Sequence, residues 1–359
     1  MATSNAQRFL ASGGDDTNIG LTMFWGSVLE AFRAKTLLWN STDGDFGVSD
    51  ETGGPVVASK RVESGKSWEF PLIGDDPSPE YHTPGEELLG QDVVLSKGTI
   101  NIDDILVSHY DVAGDHTQIS HFDVLEPFAR KLGRSLAIDF DAKLIRVGIL
   151  AARTAAVTNI HSGGNAVVRG GTTVATAYAL SATGQDAFAA DVAELASLMD
   201  ADNVPEDGRF LIVNTYIRRL LTIPLSSGNA NIFDRDLSRP QDNSLNQRVL
   251  GTLAGFTVLG PTTQMPSTNI TTGPSAYQGD FRAAATGGGI PVALALCGAS
   301  EGTAGIGYVA ATDARLGPIY AYRMYDERRN TTFMKAQMMV GAGVLAPWCA
   351  GVIHVDDSS

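Results

Sequence analysis

The sequence predicts an α+β fold with about two domains. The chain has 359 residues, and a domain takes roughly 150 residues. Two segments rich in β-branched and aromatic residues, 55–73 and 93–107, predict long strands. They precede an apolar pattern with helical spacing that continues for about eight turns. From Leu316 onward the tail alternates in the manner of strands, with Tyr320, Tyr322 and Met324 on one face.

Charge and cysteine content exclude several classes of protein. The chain has 26 Lys and Arg against 40 Asp and Glu, a formal net charge of −14, which is the wrong sign for tight binding to nucleic acid. Hydrophobic residues make up 43%, which argues against intrinsic disorder. The two cysteines, Cys297 and Cys349, cannot form a disulfide framework. They suit a reducing compartment, and we expect both to be small buried side chains.

Neither a secretory signal nor a membrane span is predicted. The first twenty residues contain no apolar stretch long enough for a signal peptide. The segment 283–300 is uncharged, but Gly287, Gly288, Gly289 and Pro291 interrupt it. Only 290–297 is continuously apolar, which predicts a buried strand.

The first hundred residues predict an arm, a short helix and a projecting pair of strands. Residues 1–18 are small and polar and predict a flexible arm. Helical spacing begins near Leu21 and ends before Leu37. Between the two predicted strands lie 19 residues rich in Gly, Pro and Asp, 74–92. A loop of this length is unusual inside a compact body, so we expect a β-arm with a functional tip.

One long helix dominates the middle of the chain. Apolar residues recur every three or four positions from Phe122 to Leu150. Ser120 and Asp123 resemble a capping box at its start. Because Pro127 removes one helical hydrogen bond, the regular helix either starts near Glu126 or kinks there. At 1.5 Å per residue the helix is about 40 Å long, so another element must lie along it.

The second half of the chain predicts shorter elements. Residues 154–185 are weakly patterned, and no fixed repeat is visible. Helical or strand-like patterns define four further segments: a helix around 188–199, a buried strand at 209–214, a short helix at 215–221 and a strand at 252–259.

One motif raises the alternative of a serine hydrolase. Residues 298–302, Gly-Ala-Ser-Glu-Gly, match the nucleophile elbow G-x-S-x-G and follow an apolar run. Asp313 or Asp326, followed by His354, would supply the order of a catalytic triad. However, an elbow opens a helix, and 303–308 has two further glycines and no helical pattern. Tight glycine turns are the simpler interpretation.

Other groups of polar residues support no chemistry. Residues 63–67, Glu-Ser-Gly-Lys-Ser, resemble the end of a phosphate-binding loop, but Lys60 stands where its first glycine belongs. Four metal-ligand types, Asp115, His116, His121 and Asp123, straddle a helix start, where capping explains them better. Two pairs of adjacent arginines, at 218–219 and at 328–329, are too small to form a nucleic-acid patch. We expect them to form salt bridges. We expect no enzyme, no cofactor and no metal.

Many short stretches together resemble one family. The chain is similar to major capsid proteins of tailed bacteriophages, of the short-tailed T-seven-like (podovirus) kind with the Hong Kong 97-type fold. Order and spacing hold across most of the chain. The matching stretches are 24–32, Arg61 with 64–67, 70–71, Gly74, 81–82, 84–86, 102–103, 121–124, 132–133 and 135–137, with weaker similarity at 204–209, 255–256, 328–329, Phe333 and 341–343.

The resemblance implies a division of the chain into functional parts. Residues 1–54 would form an N-terminal arm with a short helix, and 55–107 an extended β-hairpin called the E-loop. Residues 108–181 would form a peripheral domain built on the long spine helix. Residues 182–310 would form an axial domain, and 311–359 would return to the peripheral domain.

The resemblance also implies partners and a location. Such proteins assemble as hexamers and pentamers into an icosahedral shell that encloses double-stranded DNA. The expected partners are other copies of the chain, a separate scaffolding protein, a portal, and packaged DNA held by weak non-specific contact, with no membrane. The location would be the virion capsid, after assembly in the bacterial host cytoplasm. The triangulation number, the host, any decoration protein, covalent crosslinking and the maturation trigger are left open, as is a monomeric ligand-binding module.

Opposite charges predict where subunits touch. Basic residues lie on the incoming strand of the β-arm, and acidic residues lie in its connecting loop. Charges separated in this way suit contacts between copies. The candidate assembly contacts are Lys60, Arg61, Lys66, Asp75, Asp76, Glu80, Glu86, Glu87, Arg328 and Arg329.

Overall fold

A computed structural model describes most of the chain. The described residues are 16–38, 57–62, 65–73, 81–82, 87, 94–102, 105–113, 125–158, 160–206, 208–222, 249–282, 289–298, 304–311 and 319–356. Their helices are α1 (Asp16–Lys35), α2 (Leu125–Ala152), α3 (Val174–Ala177), α4 (Ala182–Ala201) and α5 (Thr215–Thr222). Their strands are β1 (Ala58–Val62), β2 (Ser67–Ile73), β3 (Leu95–Asn101), β4 (Ile105–Ala113), β5 (Asn165–Gly170), β6 (Arg209–Asn214), β7 (Val249–Leu253), β8 (Phe256–Thr262), β9 (Ile290–Cys297), β10 (Ile306–Ala311), β11 (Ile319–Asp326), β12 (Thr331–Val344) and β13 (Ala350–Asp356).

A six-stranded sheet with the order β5-β13-β9-β6-β8-β7 forms one half of the molecule. Alternate residues of β6 enter two different cores: Phe210 and Ile212 pack with α2, whereas Leu211 and Val213 pack with α4 and α5. Since both faces are covered, the strands are continuously apolar rather than alternating. This explains why 290–297 was predictable as a buried strand.

A five-stranded sheet forms the other half. Its order is β1-β10-β12-β11. Strand β4 pairs with residues 331–339 of β12, on the edge opposite β11. Buried residues of β12, among them Met334, Ala336 and Met338, share a core with α1 and α2. Helices therefore cover one face of this sheet.

The long helix α2 joins the two halves. It begins at Leu125, close to the predicted Glu126, so Pro127 lies in the first turn, where an N–H has no helical partner to lose. Its 28 residues extend about 42 Å. The first half packs on the five-stranded sheet, and Leu144 and Ile145 belong to the core shared with β9 and β13.

Helix α1 is the element that lies along α2. At Gly133 the helices approach so closely that an added Cβ would overlap the carbonyl oxygen of Val28. The Phe32 and Phe140 rings pack 5.9 Å apart. The buried carboxylate of Asp141 closes the contact, because it accepts hydrogen bonds from the Thr36 hydroxyl (2.7 Å) and the Leu37 backbone N–H (2.8 Å).

Several predicted boundaries were wrong. Helix α1 begins at Asp16 rather than near Leu21, since short polar residues carry no apolar period and yet extend a helix that is already docked. The segment 252–259 contains a hairpin, not one strand. Its two linking residues, Ala254 and Gly255, both have positive φ (48° and 84°), as in the two-residue turns that match strand twist.

The two predicted long strands of the β-arm are four strands. Strand β1 ends at Val62 and β2 begins at Ser67, and β3 ends at Asn101 and β4 begins at Ile105. The outer strands pair elsewhere, β1 with β10 and β4 with β12. Strands β2 and β3 form a separate two-stranded sheet. Likewise, β5 and β13 lie in the six-stranded sheet and β10 lies in the five-stranded one. The domain boundaries at 182 and 311 remain predictions.

Candidate assembly surfaces

The β2–β3 hairpin has one apolar face and one polar face. The register pairs Trp68 with Ile100 and Phe70 with Gly98, and Leu72 follows on the same face. The Trp68 and Phe70 rings pack 5.8 Å apart, and the Phe70 ring covers the space that a side chain at Gly98 would occupy. Only Ile100 is buried among the described side chains of these two strands. The apolar face is thus only partly covered by its own chain.

The base of the hairpin rests on glycines of the five-stranded sheet. A Cβ at Gly307 would lie 3.0 Å from the Trp68 ring, and one at Gly343 would lie 2.7 Å from Ile100. At Gly341 it would overlap the carbonyl oxygen of Asn101. These positions need glycine because the hairpin lies directly against the sheet, with no room for a side chain between them. Phe70 and Leu72 continue the same face beyond this support.

The polar face of the hairpin carries an exposed ion pair. Lys97 Nζ lies 2.7 Å from Glu69 Oε2, and both side chains are more than half exposed. An exposed pair of this kind contributes only about 0 to 1 kcal/mol to stability. Its chief effect is to keep this face of the hairpin hydrophilic.

The predicted contact residues of the β-arm fall into three groups. Lys66 and Glu87 are exposed, and the Lys66 carbonyl accepts a hydrogen bond from the Ile102 N–H (2.7 Å) that closes the hairpin base. Lys60 and Arg61 lie in β1, whose backbone pairs with β10. Asp75, Asp76, Glu80 and Glu86 lie outside the described residues.

Arg328 and Arg329 lie in the turn between β11 and β12. Both are exposed. The Arg328 backbone N–H donates to Asp326 Oδ1 (3.0 Å), and Arg329 Nε lies 4.0 Å from Asp326 Oδ2. Asn330 has a φ of 51° and accepts a hydrogen bond from the Tyr325 hydroxyl (2.6 Å). Asp326 therefore fixes the turn while leaving both guanidinium groups accessible.

Sequence analysis placed Tyr320, Tyr322 and Met324 on one strand face but missed the surface to which they belong. This surface is the face of the five-stranded sheet away from the helices, and the hairpin base covers its Gly341 and Gly343 end. The register aligns Tyr320 with Gln337 and Val107, and Tyr322 with Lys335 and His109. The Tyr320 and Tyr322 rings stack 6.2 Å apart. Ile105, Val107, Met324 and Met339 are exposed on this side by 49%, 45%, 48% and 36%. The alternation of apolar residues in 105–111 indicates an apolar face on β4. The sequence does not show that β4 and β11 pair with the two edges of β12 and so form one surface.

A profile of the Gp10A-like family of major capsid proteins matches residues 69–354. The chain belongs to this family. It is 29% identical over 169 residues to the major capsid protein of Escherichia phage T7 and 27% identical over 161 residues to that of Enterobacteria phage T3. These alignments cover 46% and 44% of this chain but only 43% and 40% of the relatives, so the chain aligns with less than half of their length.

Solved phage capsid structures share the fold of this chain. A chain of the cyanophage P-SCSP1u capsid superimposes with a TM-score of 0.64 at 24% identity, covering 90% of this chain and 94% of that one. For the mature capsid of bacteriophage PhiM1 the TM-score is 0.59 at 15% identity, covering 89% and 92%. The expected α+β, Hong Kong 97-type capsid fold is confirmed.

The serine hydrolase alternative is not supported in this capsid family. Ser300 and Asp313 lie outside the described residues, whereas His354 is fully buried in β13. The phosphate-loop resemblance also fails, because Ser67 begins a strand and Gly65 (φ 106°) is a turn residue.

Neither a metal site nor a membrane-spanning helix is found among the residues that the structure describes. Across the described ranges, three His, Cys, Asp or Glu side chains never come together as a metal site, and Asp115, His116, His121 and Asp123 fall outside those ranges. In the same ranges, every helix is too short or too polar to cross a bilayer.

The prediction that both cysteines are buried is confirmed. Cys297 and Cys349 do not form a disulfide, and neither side chain has any solvent exposure. Burial, with smaller contributions from Cys297 and Asp202, raises the pKa of the Cys349 thiol to about 12. This thiol stays protonated at neutral pH and lacks the thiolate needed for nucleophilic chemistry.

Proposed function

We propose that this protein is the major head protein of a tailed double-stranded DNA phage, which assembles as hexamers and pentamers into an icosahedral shell. The observation that supports this most directly is the β2–β3 hairpin. Its apolar face runs past the glycines that support its base, and Phe70 and Leu72 remain half-exposed. A two-stranded hairpin is marginally stable alone, so a contact with another copy would stabilise it.

The proposed assembly follows from mass action. A surface used head to tail by identical copies closes into rings when the rotation between copies allows it. Each ring contact that binds the folded hairpin also shifts the equilibrium toward that fold. Exposed ion pairs contribute little singly, but a shell repeats every contact at each subunit.

The proposal assigns a role to each part of the chain. Residues 1–54 act as the arm and 55–107 as the E-loop. Residues 108–181 and 311–359 form the peripheral domain, and 182–310 form the axial domain. Lys60, Arg61, Lys66, Arg328 and Arg329 contact acidic groups of neighbouring copies, and Asp75, Asp76, Glu80, Glu86 and Glu87 contact basic ones.

Other partners and the place of assembly are part of the same proposal. A scaffolding protein directs closure and a portal occupies one vertex, while a decoration protein is an open question. Assembly takes place in the bacterial host cytoplasm and ends as the virion capsid. No enzymatic step is needed for this role.

The test is assembly of the full chain in the presence of its scaffolding protein, followed by sedimentation and electron microscopy. We expect closed shells of uniform size from the wild type. Deleting 75–90 should sharply lower the yield or heat resistance of shells while leaving the circular dichroism of the unassembled chain nearly unchanged, because the tip packs on a neighbour.

Ser300→Ala is the matched control, and it should assemble like the wild type and show the same absence of esterase activity. A chain that stays monomeric at high concentration with bound scaffolding protein would refute the proposal. Esterase activity that this substitution abolishes would favour the hydrolase instead.

A further inference from the structure

The spine helix α2 carries positive charge in a protein that is strongly acidic overall. The whole chain has a net charge of −14. Helix α2, however, has five basic side chains against three acidic ones, and one of the three, Asp141, is buried beneath α1. Basic charge is thus concentrated on one element against the trend of the chain.

Three of these basic residues form an exposed strip in the first half of the helix. Arg130, Lys131 and Arg134 are all exposed, and positions 130 and 134 are neighbours one turn apart. Arg130 Nη2 contacts Glu126 Oε1 at 2.8 Å, and both side chains are more than half exposed. Lys131 lies over the Phe128 ring at 5.7 Å. Within the described part of the chain, neither Lys131 nor Arg134 forms an ion pair with a carboxylate.

The two sides of the five-stranded sheet therefore differ in chemistry. The helix side presents Arg130, Lys131 and Arg134, whereas the opposite side presents apolar groups such as Ile105, Val107 and Met339 beside Lys335 and His109. Favourable contact with phosphate requires the basic side.

We propose that the exposed strip of α2 formed by Arg130, Lys131 and Arg134 is the surface on which this protein contacts the phosphate backbone of double-stranded DNA. This inference rests on the proposed function, because it requires DNA inside a shell. It places the helix side of the five-stranded sheet toward the enclosed DNA.

The strip is suited to loose contact rather than to tight binding. Three basic groups neutralise about three phosphates, and the logarithm of the binding constant then falls with the logarithm of salt concentration with a slope of about −2.7. Proteins with 6–10 phosphate contacts show far steeper slopes. The net negative charge of the chain weakens attraction elsewhere, so DNA touches the wall at the strip without being trapped.

The experiment measures binding of the unassembled full chain to a fluorescent duplex of about 30 base pairs by anisotropy, between about 50 and about 200 mM salt. Wild type should bind weakly with a slope near −3. The triple variant Arg130→Gln, Lys131→Gln, Arg134→Gln should lose roughly ten-fold in affinity at low salt and most of the slope. Gln keeps helix propensity, and circular dichroism checks that α2 is intact.

A matched variant removes the same charge elsewhere. Lys66→Gln, Arg328→Gln, Arg329→Gln changes three exposed basic residues of the hairpin base and the β11–β12 turn and should bind DNA like the wild type. The variant Arg130→Lys, Arg134→Lys should also keep the wild-type slope, because it preserves charge. Equal loss in both triple variants would overturn the inference, since net charge alone would then explain binding.

Three further outcomes would test this inference separately from the proposed function. If polyglutamate binds the strip and duplex DNA does not, the partner is an acidic protein segment and the inference is wrong. If wild type and the α2 triple variant both form shells but bind DNA equally, the inference fails while the proposed function stands. If the wild type forms no shells with its scaffolding protein, the proposed function fails as well.

Discussion

The six-stranded sheet and the β2–β3 hairpin are both built of strands, but they depend on different neighbours. In β9, residues 291–297 are all buried, because α2 covers one face of the sheet and α4 and α5 cover the other. In the hairpin, Ile100 alone is buried among the described side chains. One region is stabilised within its own chain, whereas the other has an apolar face that a second copy can cover.

The contact between α1 and α2 lies between these extremes. Its core is buried, with Val28 and Phe32 fully inaccessible. It is nevertheless formed by an N-terminal element that reaches the body through one close approach at Gly133 and one buried carboxylate, Asp141. Single substitutions should therefore separate the three regions by the size of their effect.

The largest effect on the unassembled chain is expected in the six-stranded half. Phe188 of α4 is fully buried and packs edge-on against Tyr178 at 5.6 Å. Phe188→Ala should lower the free energy of unfolding by about 3–5 kcal/mol through lost burial and a cavity. Denaturant unfolding measures this. Leu198→Ala on the exposed side of the same helix is the control, and an equal loss there would contradict the comparison.

A smaller loss is expected where α1 meets α2. In Gly133→Val the new side chain would overlap the Val28 carbonyl, so α1 must shift, at a cost of about 1–3 kcal/mol. Gly26→Ala is the control, because a Cβ there meets nothing within 4 Å and alanine should stabilise a helix by about 0.5–1 kcal/mol. Thermal unfolding should therefore shift in opposite directions for the two variants. A Gly133→Val chain as stable as the wild type would refute the close contact.

The hairpin should respond weakly alone and strongly on assembly. Phe70→Ala removes a half-buried ring over Gly98 and should change the free energy of unfolding of the unassembled chain by about 1 kcal/mol or less, while the yield of shells falls. Thr99→Ala lies on the opposite, polar face and should assemble normally. If both variants lowered the yield equally, the apolar face would have no special role in the contact.

No effect at all is expected for thiol reagents on the native chain. Since burial raises the pKa of Cys349 to about 12, this thiol is protonated and inaccessible at about pH 8. Mass spectrometry should find no labelling of Cys297 or Cys349 before denaturation and labelling of both after it. Rapid native labelling would mean that the six-stranded half opens readily.

Periodic segments were predictable, and pairing between distant segments was not. The spacing of apolar residues located α2 and α4, and the apolar run located β9, because each pattern comes from burial of a single element. The β-arm was predicted as two long strands. Its outer strands β1 and β4 instead pair with β10 and β12, which lie about 250 and about 220–230 residues further along the sequence. The local composition of a strand does not indicate with which distant segment it pairs.

The candidate surfaces show the same limit. Lys66, Glu87, Arg328 and Arg329 are exposed, as charged side chains usually are. Their role in contacts remains a prediction. The shared face of Tyr320 and Tyr322 was predictable from alternation, but its place in a three-strand surface with β4 and β12 required the structure. The basic strip on α2 also required it, because an α2 side chain is exposed or buried according to where α1 and β12 lie.

The fold class, the family, the long helix α2 and the buried strands were predictable from the amino-acid sequence, because periodicity, apolar runs and ordered motifs are local features of a chain. Which face each element exposes and which strands share a sheet depend on contacts between distant segments. Gly133, Gly307 and Gly343 are unremarkable as letters among 39 glycines. Their importance arises only where Val28, Trp68 and Ile100 come within contact distance, since close packing is a property of the folded chain.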